Sequence, residues 1–371
     1  LFRKGLVVFQ FVLSIVLIIS TILITRQVRF MQTANLGYDR ENLLYIPIEG
    51  ELGSKLDVFM TSAAQLPGIT GLSQLSENPT EMNNGTLSFS WTGKDPNQRI
   101  RFIQDAIGPD FMKTMKLQLV AGRDFSAAYP SDSLGCILNE TAIATIGYKD
   151  PIGRPVYFGH TQAHIVGIVK DFHFRSLHDP IQPLILHTGK KDNFSTILVR
   201  TQAGKTRLAL AGLQGLCHSL NPKFPFSYKF SDQEYASLYK SEEVTGRLAT
   251  VFAVLAILIS CLGLLGLSIF TAEQRIKEIG IRKVLGAGVP SLFGLLSKEF
   301  IGLVGLSFAI AVPLGWGAMH QWLQNFAYRT DIPWWTFGIS GLLAMLIALA
   351  TVCFQAIRAA RCNPIKVLRS E

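Results

Sequence analysis

Four histidines fall within 19 residues, His160, His164, His173 and His178, with Asp171 and Asp179 beside them, and imidazole with carboxylate is a donor set that holds zinc. Their spacing argues against it. His160 and His164 have the i,i+4 interval of a helical zinc site, but His160 stands in a Gly-Thr loop and His164 opens an apolar extended run, so the helix is lacking. They read as loop or edge-strand histidines. Five cysteines (Cys136, Cys217, Cys261, Cys353, Cys362) show no CxxC or other metal-like spacing. Cys136 and Cys217 share the large polar region, and whether they bond is left open, because sequence does not supply the distance a disulfide requires. No GxSxG occurs, and Gly263 to Gly266 (GLLG) lacks the following Lys-Ser/Thr of a phosphate loop. The expectation is a chain with no catalytic residue, cofactor or metal, which does not itself hydrolyse ATP.

The residues with the most informative spacing are Glu273 to Gly288, EQRIKEIGIRKVLGAG. Arg275, Lys277, Glu278, Arg282 and Lys283 surround the apolar Ile276, Ile279 and Ile281, and Glu278 with Arg282 forms an i,i+4 ion pair in the favourable order. Gly286 and Gly288 stand where a helix would end. Two readings fit this chemistry: a foot that docks a soluble partner, and a solvated juxtamembrane helix on anionic lipid.

The elements that place this segment are apolar. Leu248 to Ala272 runs 25 residues without a charge, ample for a hydrocarbon core of about 30 Å. Gly5 to Thr25 is a first span, bounded by Arg3, Lys4 and Arg26; a third lies within Phe300 to Tyr328, with a kink expected at Pro313, and a fourth within Ile332 to Ile357. Trp322, Tyr328, Trp334 and Trp335 flank the last turn as interfacial anchors. Gln10 and His320 are too few for a solvated substrate path and read as packing groups. Gly263, Gly266 and Ser268 suit either close helix packing or a lipid-facing position.

Of the 371 residues, 49% are hydrophobic and 16% charged, too apolar for an ordinary soluble chain and too polar for an all-membrane one. The net charge of +9 is localised. Residues 26 to 245 carry 22 Lys+Arg against 21 Asp+Glu, whereas residues 1 to 4, 273 to 299 and 358 to 371 together carry 11 against 4. That is the positive-inside pattern, and it excludes a nucleic-acid groove. The topology expected is N-terminus in, a large domain out, the Glu273 segment in, a short turn out and the C-terminus in. The start at Leu1, with a basic pair before an apolar run and no small-residue cleavage site, reads as a retained anchor in a chain cut from a longer polypeptide.

The fold expected is an α+β membrane protein: four transmembrane helices, with a large α+β periplasmic domain of porter-like βαβ units plus an inserted subdomain between the first and second. Its divisions are 1–34 (first span and stalk helix), 35–230 (periplasmic domain) and 231–371 (second stalk helix, three spans, cytoplasmic segment and basic tail). Strands are predicted over Leu43–Ile48, Ile69–Leu75, Arg99–Ile107, His164–Val169 and Thr196–Val199. Helices are predicted over Leu52–Leu66, Pro109–Met115, Asn139–Ile146 and Lys205–Leu220. Glu77 to Gly93 reads as a loop or a mobile subdomain edge, Gly122 to Ser126 as a turn, and Ser231 with Glu234 as a capping box opening the second stalk.

The run Glu273 to Ala287 resembles the E-x-R-x-x-E-I-G-x-x-[KR]-x-[LM]-G-A signature of FtsX-like/MacB-like ABC transporter permeases. Asn35–Asp39 (NLGYD), Gly122–Phe125 (GRDF) and His164–Phe172 (HIVGIVKDF) resemble the MacB-type periplasmic core domain, so the likeness covers essentially the whole chain. The resemblance implies a mechanotransmitting permease of the inner (plasma) membrane, with a separate cytoplasmic ABC ATPase docking on Glu273, Arg275, Glu278, Ile279, Gly280, Arg282, Lys283, Gly286 and Ala287. It also implies a second permease half or homodimer partner, membrane lipid around the spans and a periplasmic adaptor above them. Some relatives carry the ATPase on the same polypeptide; here the resemblance fits the second half of a larger permease. The implied function is export of amphiphilic cargo (antimicrobial peptide, macrolide-like compound or lipoprotein). The alternative is an ATP-driven signalling scaffold that regulates a periplasmic partner such as a cell-wall hydrolase.

Overall fold

The computed structural model describes residues 2–126, 128–190, 193–274 and 289–360. The chain divides into two compact units, residues 32–239 and, from the two ends together, residues 1–31 and 240–371.

The second unit is helical. Among the described residues, four helices are long and apolar enough to cross a membrane: α1 (Phe2–Thr33) and, introduced below in chain order, three more that follow the large domain. In the large domain, β1 (Leu43–Pro47) leads through α2 (Leu56–Ala64) to β2 (Ile69–Leu75), the β-α-β opening that the apolar spacing anticipates. A strand from late in the chain, β11 (Thr196–Thr201), lies between β1 and β2 and runs antiparallel to both, so the unit is a split one. On it pack α2 and α5 (Thr206–Leu220). Leu56, Phe59 and Ala63 recur at helical spacing on one, and Ala209, Leu213 and Cys217 on the other, which gives each a single buried stripe in a common core with Leu44, Ile46, Ile197 and Val199.

The other half of the sheet holds β3 (Gly85–Thr86), β4 (Phe89–Trp91), β5 (Phe102–Ile107), β6 (Leu119–Gly122), β7 (Gly135–Asn139), β8 (Pro155–Phe158), β9 (Thr161–Val169) and β10 (Leu184–Thr188). α3 (Phe111–Met115) follows β5 and α4 (Glu140–Ile146) follows β7, its N-terminus capped by the Asn139 side chain accepting from the Ala142 N–H, as anticipated. The strand order is β12-β1-β11-β2-β5-β10-β7-β9-β8-β4, with β12 (Lys229–Phe230) at one edge; β3 pairs β5 and β6 pairs β9. β2 and β5 meet at one register pair, Leu75 with Ile107, so the two halves join through a narrow seam. The second half has its own core around Phe89, Trp91, Phe102, Cys136, Leu138 and Val156.

The polar run 77–93 is not all loop. Phe89 and Trp91 face one side of β4 and pack against Phe102, the Phe89 and Phe102 rings being 4.7 Å apart. Three residues of alternation inside a Ser/Thr/Asn/Gly stretch are too few to announce a strand. β7, β8 and β10 were likewise without a sequence signal strong enough to register. All five residues of β7 are buried, so it has no polar alternation to show.

The chain then enters α6 (Ser231–Ser237), turns at Leu238–Tyr239 and continues as α7 (Lys240–Gln274), α8 (Val289–Leu323, containing Pro313) and α9 (Trp335–Ala360). The α6 start corrects the capping-box expectation. Phe230 is the N-cap residue and no side chain caps the helix, because Ser231 is bound to Tyr45 and Glu234 to Asn78 and Lys229.

Within the helical unit, α1 is tied along its length. Near its start Lys4 pairs with Glu299 of α8, and the Arg3 guanidinium lies 4.3 Å from the Phe270 ring centre. Ser14 shares a 3.0 Å hydrogen bond with Ser260, and Ser307 donates to the Val8 carbonyl. Near its end the buried Gln27 donates to the Tyr328 carbonyl at 3.0 Å and accepts from the Thr330 N–H at 2.9 Å. Gln10 does pack: a Cβ on Gly263 would collide with its Oε1. Gly266 faces open space, and His320 is exposed and stacked on Trp316.

Candidate functional site

Of the nine residues expected to couple to an ATPase, Glu273 is described and is exposed, one residue before the last turn of α7 ends at Gln274. Arg275, Glu278, Ile279, Gly280, Arg282, Lys283, Gly286 and Ala287 lie outside the described residues. The helices flanking that segment are held close by: Phe270 of α7 and Glu299 of α8 are the groups that bind Arg3 and Lys4. Such ties join α1 to both α7 and α8 at one end of the bundle.

A second constellation lies in the large domain, where its first and last segments meet. The chain passes between the two units at 31–32 and 239–240. Just inside those points, Tyr45 and Ser231 share a 2.6 Å hydrogen bond, both fully buried, so β1 is bolted to the start of α6. One turn on, Tyr239 donates to Tyr235 at 3.2 Å and accepts from the Leu177 N–H at 2.8 Å. The Arg40 guanidinium sits 4.5 Å from the Tyr235 ring centre and donates back to the Gln32 carbonyl. His178 stacks on Tyr239 and bonds Ser176, which joins the 172–178 loop to the same cluster. Burial drives the Tyr38 hydroxyl up to about 12 and those of Tyr45 and Tyr235 upward too, so all three stay neutral.

Beside it, the buried Arg200 of β11 donates to three backbone carbonyls, those of Thr114, Glu41 and Asp39. Lys116 adds a bond to the Asp39 carboxylate at 2.6 Å. Burial works to raise the Asp39 carboxyl, but the Lys116 bond, the Glu41 N–H and Arg200 together hold it below the usual carboxylate range. Residues 39–41 are thus fastened to the sheet and to α3 by charge-assisted bonds, the strong kind. Incoming segment, outgoing segment and sheet are hydrogen-bonded into one junction.

Sequence reasoning missed this junction. Its visible trace is Tyr235 and Tyr239 at i,i+4 within an otherwise polar helix-prone run, two large amphipathic rings that need a buried partner.

The histidines are dispersed. His160 is exposed in the β8–β9 turn, His164 lies on β9, and burial lowers the His173 imidazole against the pull of Asp171. Among the described residues no group of three or more His, Cys, Asp and Glu is placed to hold a metal. Cys136 and Cys217 are free thiols in different cores, so they do not form a bridge; burial raises them to about 12 and about 11.

The family model of the MacB-like periplasmic core domain matches residues 5–211, and that of the FtsX-like permease C-terminal region matches residues 250–364. The chain is 21% identical over 345 residues to the uncharacterized ABC transporter permease YknZ of Bacillus subtilis, spanning 89% of this chain and 85% of that one. It is 23% identical over 286 residues to the macrolide export ATP-binding/permease protein MacB 2 of Aeromonas hydrophila, spanning 71% of this chain and 43% of that one. The chain thus spans less than half the length of that MacB relative. Solved structures similar to the chain include the periplasmic region of MacB from Actinobacillus actinomycetemcomitans (TM-score 0.40, 16% identity, 56% of this chain and 97% of that one) and the extracellular domain of YknZ from Gram-positive bacteria (TM-score 0.35, 15% identity, 50% and 96%). The chain belongs to the MacB-like periplasmic core domain family with an FtsX-like permease region, and is a multi-pass inner-membrane ABC transporter permease with its large domain in the periplasm.

Proposed function

We propose that this permease carries motion from a separate cytoplasmic ATPase to its periplasmic domain, and so drives export of amphiphilic cargo such as an antimicrobial peptide, a macrolide-like compound or a lipoprotein. The ATPase docks on Glu273, Arg275, Glu278, Ile279, Gly280, Arg282, Lys283, Gly286 and Ala287. The observation that supports this most is the junction of Tyr45, Ser231, Tyr235, Tyr239 and Arg40, which fastens both chain passages to the sheet and would deliver a shift of either to the whole domain. The 35-residue α7, unbroken from Lys240 to Gln274, is the natural rod between that end and the docking segment. A second permease half or a second copy, surrounding lipid and a periplasmic adaptor complete the assembly. The family membership and the name of the MacB relative, which includes both ATP-binding and export, favour this reading.

The test uses Glu278→Lys and Gly280→Trp in the intact protein, purified with the ATPase that accompanies it. Both variants are expected in the membrane at normal levels, with ATP hydrolysis detached from cargo export. Full activity in both overturns the docking assignment. Division or wall defects with unchanged efflux in cells lacking the protein would instead favour the signalling scaffold.

A further inference from the structure

Ser76 and Asp105 meet across the narrow place where the two halves of the periplasmic sheet join. Ser76 belongs to the first half: Ser195, which leads into β11, donates its N–H to the Leu75 carbonyl at 3.1 Å and its hydroxyl to the Ser76 carbonyl at 2.7 Å. Asp105 belongs to the second half, within β5 and beside Leu186 of β10. With one register pair between β2 and β5, the seam leans on side chains. Its main-chain bonds run from the Gly108 N–H to the Gln74 carbonyl at 2.8 Å and from the Ser76 N–H to the Ala106 carbonyl at 2.9 Å. To these the Ser76 hydroxyl adds a bond to one Asp105 oxygen and accepts from the Ala106 N–H at 3.1 Å, and the Ser76 N–H shares that same carboxyl oxygen at 3.1 Å.

Asp105 is 1% exposed, and its second oxygen has no hydrogen-bond partner among the described residues. A neutral carboxyl is tolerated in such a place far better than an ion whose outer oxygen meets no donor. The charged and titratable groups around it do not offset that cost. Glu77, in the turn after β2, acts on it with like charge. Glu81 is exposed, Arg101 is turned to the Asn83 carbonyl, and Glu234 is tied to Lys229 and Asn78. His187 of β10 lies opposite Ala106 and hence on the other face of the sheet. Burial, the largest influence, pushes the Asp105 carboxyl up to about 7. Each half also has its own apolar core, and Ala106 is the residue that β5 supplies to the first, so parting the seam takes little more than one methyl from either.

We propose that Asp105 is a pH-sensitive latch between the two halves of the periplasmic domain: protonated, it keeps Ser76 on β5, and ionised, it draws water in by parting residues 74–77 from 105–108 while each half stays folded. In the parted seam the carboxyl meets water and ionises near its ordinary value of about 4. Between there and about 7 each pH unit favours parting about tenfold; above it the closed seam ionises too and the gain stops. The latch stands apart from ATPase docking, and its failure leaves that reading intact.

Hydrogen–deuterium exchange of the intact permease in nanodiscs from pH 5 to 8, each rate divided by its intrinsic rate, reads the parting. In wild type, opening of residues 74–77 and 105–108 is expected to rise at least tenfold from pH 5 to 7 and to level off above, while β11 and β7 keep their protection. Asp105→Asn is expected to stay flat. Glu77→Gln, which leaves the buried carboxyl in place and removes the like charge, is expected to bring the plateau to lower pH. Opening that ignores pH in wild type, the same rise in Asp105→Asn, a plateau unmoved in Glu77→Gln, or protection lost from β11 and β7 in step with the seam overturns the latch.

Discussion

Asp105 is the residue at which the large domain is most exposed to pH. It lies buried on β5, one oxygen bonded by the Ser76 hydroxyl and N–H and the other without a partner among the described residues. Burial pushes its carboxyl up to about 7, against the Ser76 bonds and with help from nearby Glu77. A carboxyl raised in the folded state is protonated there while the unfolded chain has already lost its proton. Its contribution to stability is whole below about pH 4 and falls away as pH rises to about 7, a loss on the order of 4 kcal/mol. Asp105→Asn, which is always neutral, is expected to flatten the melting profile between pH 4 and 7, stabilising the protein at pH 8 and leaving it unchanged at pH 4. An unaltered profile in the variant means that Asp105 ionises freely in the fold. Tyr239 gives a second residue-scale prediction. Tyr239→Phe strands the buried Leu177 N–H and unties Tyr235, and is expected to cost about 1–3 kcal/mol, read as a lowered melting temperature of the periplasmic domain.

At the scale of elements, helix packing in the bundle separates two glycines that look alike in sequence. A Cβ on Gly341 of α9 would meet the Phe308 ring of α8 at 2.5 Å, whereas one on Gly266 of α7 meets nothing within 4 Å. Gly341→Leu is therefore expected to push α8 from α9 at a cost of about 1–3 kcal/mol, and Gly266→Leu to be tolerated. Equal melting temperatures for the two variants in nanodiscs contradict this packing. The spans were legible because an uncharged run of 20 or so residues has one stable solution in lipid. β2, which keeps partly exposed residues along its length, was legible too. β7 was not, since burial of both faces erases the alternation, and β4 was too short to show any. The capping box failed for a reason no local pattern contains: Tyr45, 186 residues away, takes the Ser231 hydroxyl. The junction escaped for the same reason, its members being scattered from Tyr38 to Tyr239.

For the molecule as a whole, we propose that what the ATPase does at the Glu273–Ala287 segment is felt at the tyrosine junction of the periplasmic domain. Hydrogen–deuterium exchange over residues 32–45 and 229–239, on the intact permease in nanodiscs with its co-purified ATPase, tests it most directly. Wild type is expected to change its exchange in both peptides between the nucleotide-free and the ATP-trapped complex, and Glu278→Lys to show no change while the ATPase still turns over. Exchange at the junction that ignores nucleotide in wild type, or that responds equally in Glu278→Lys, contradicts the claim.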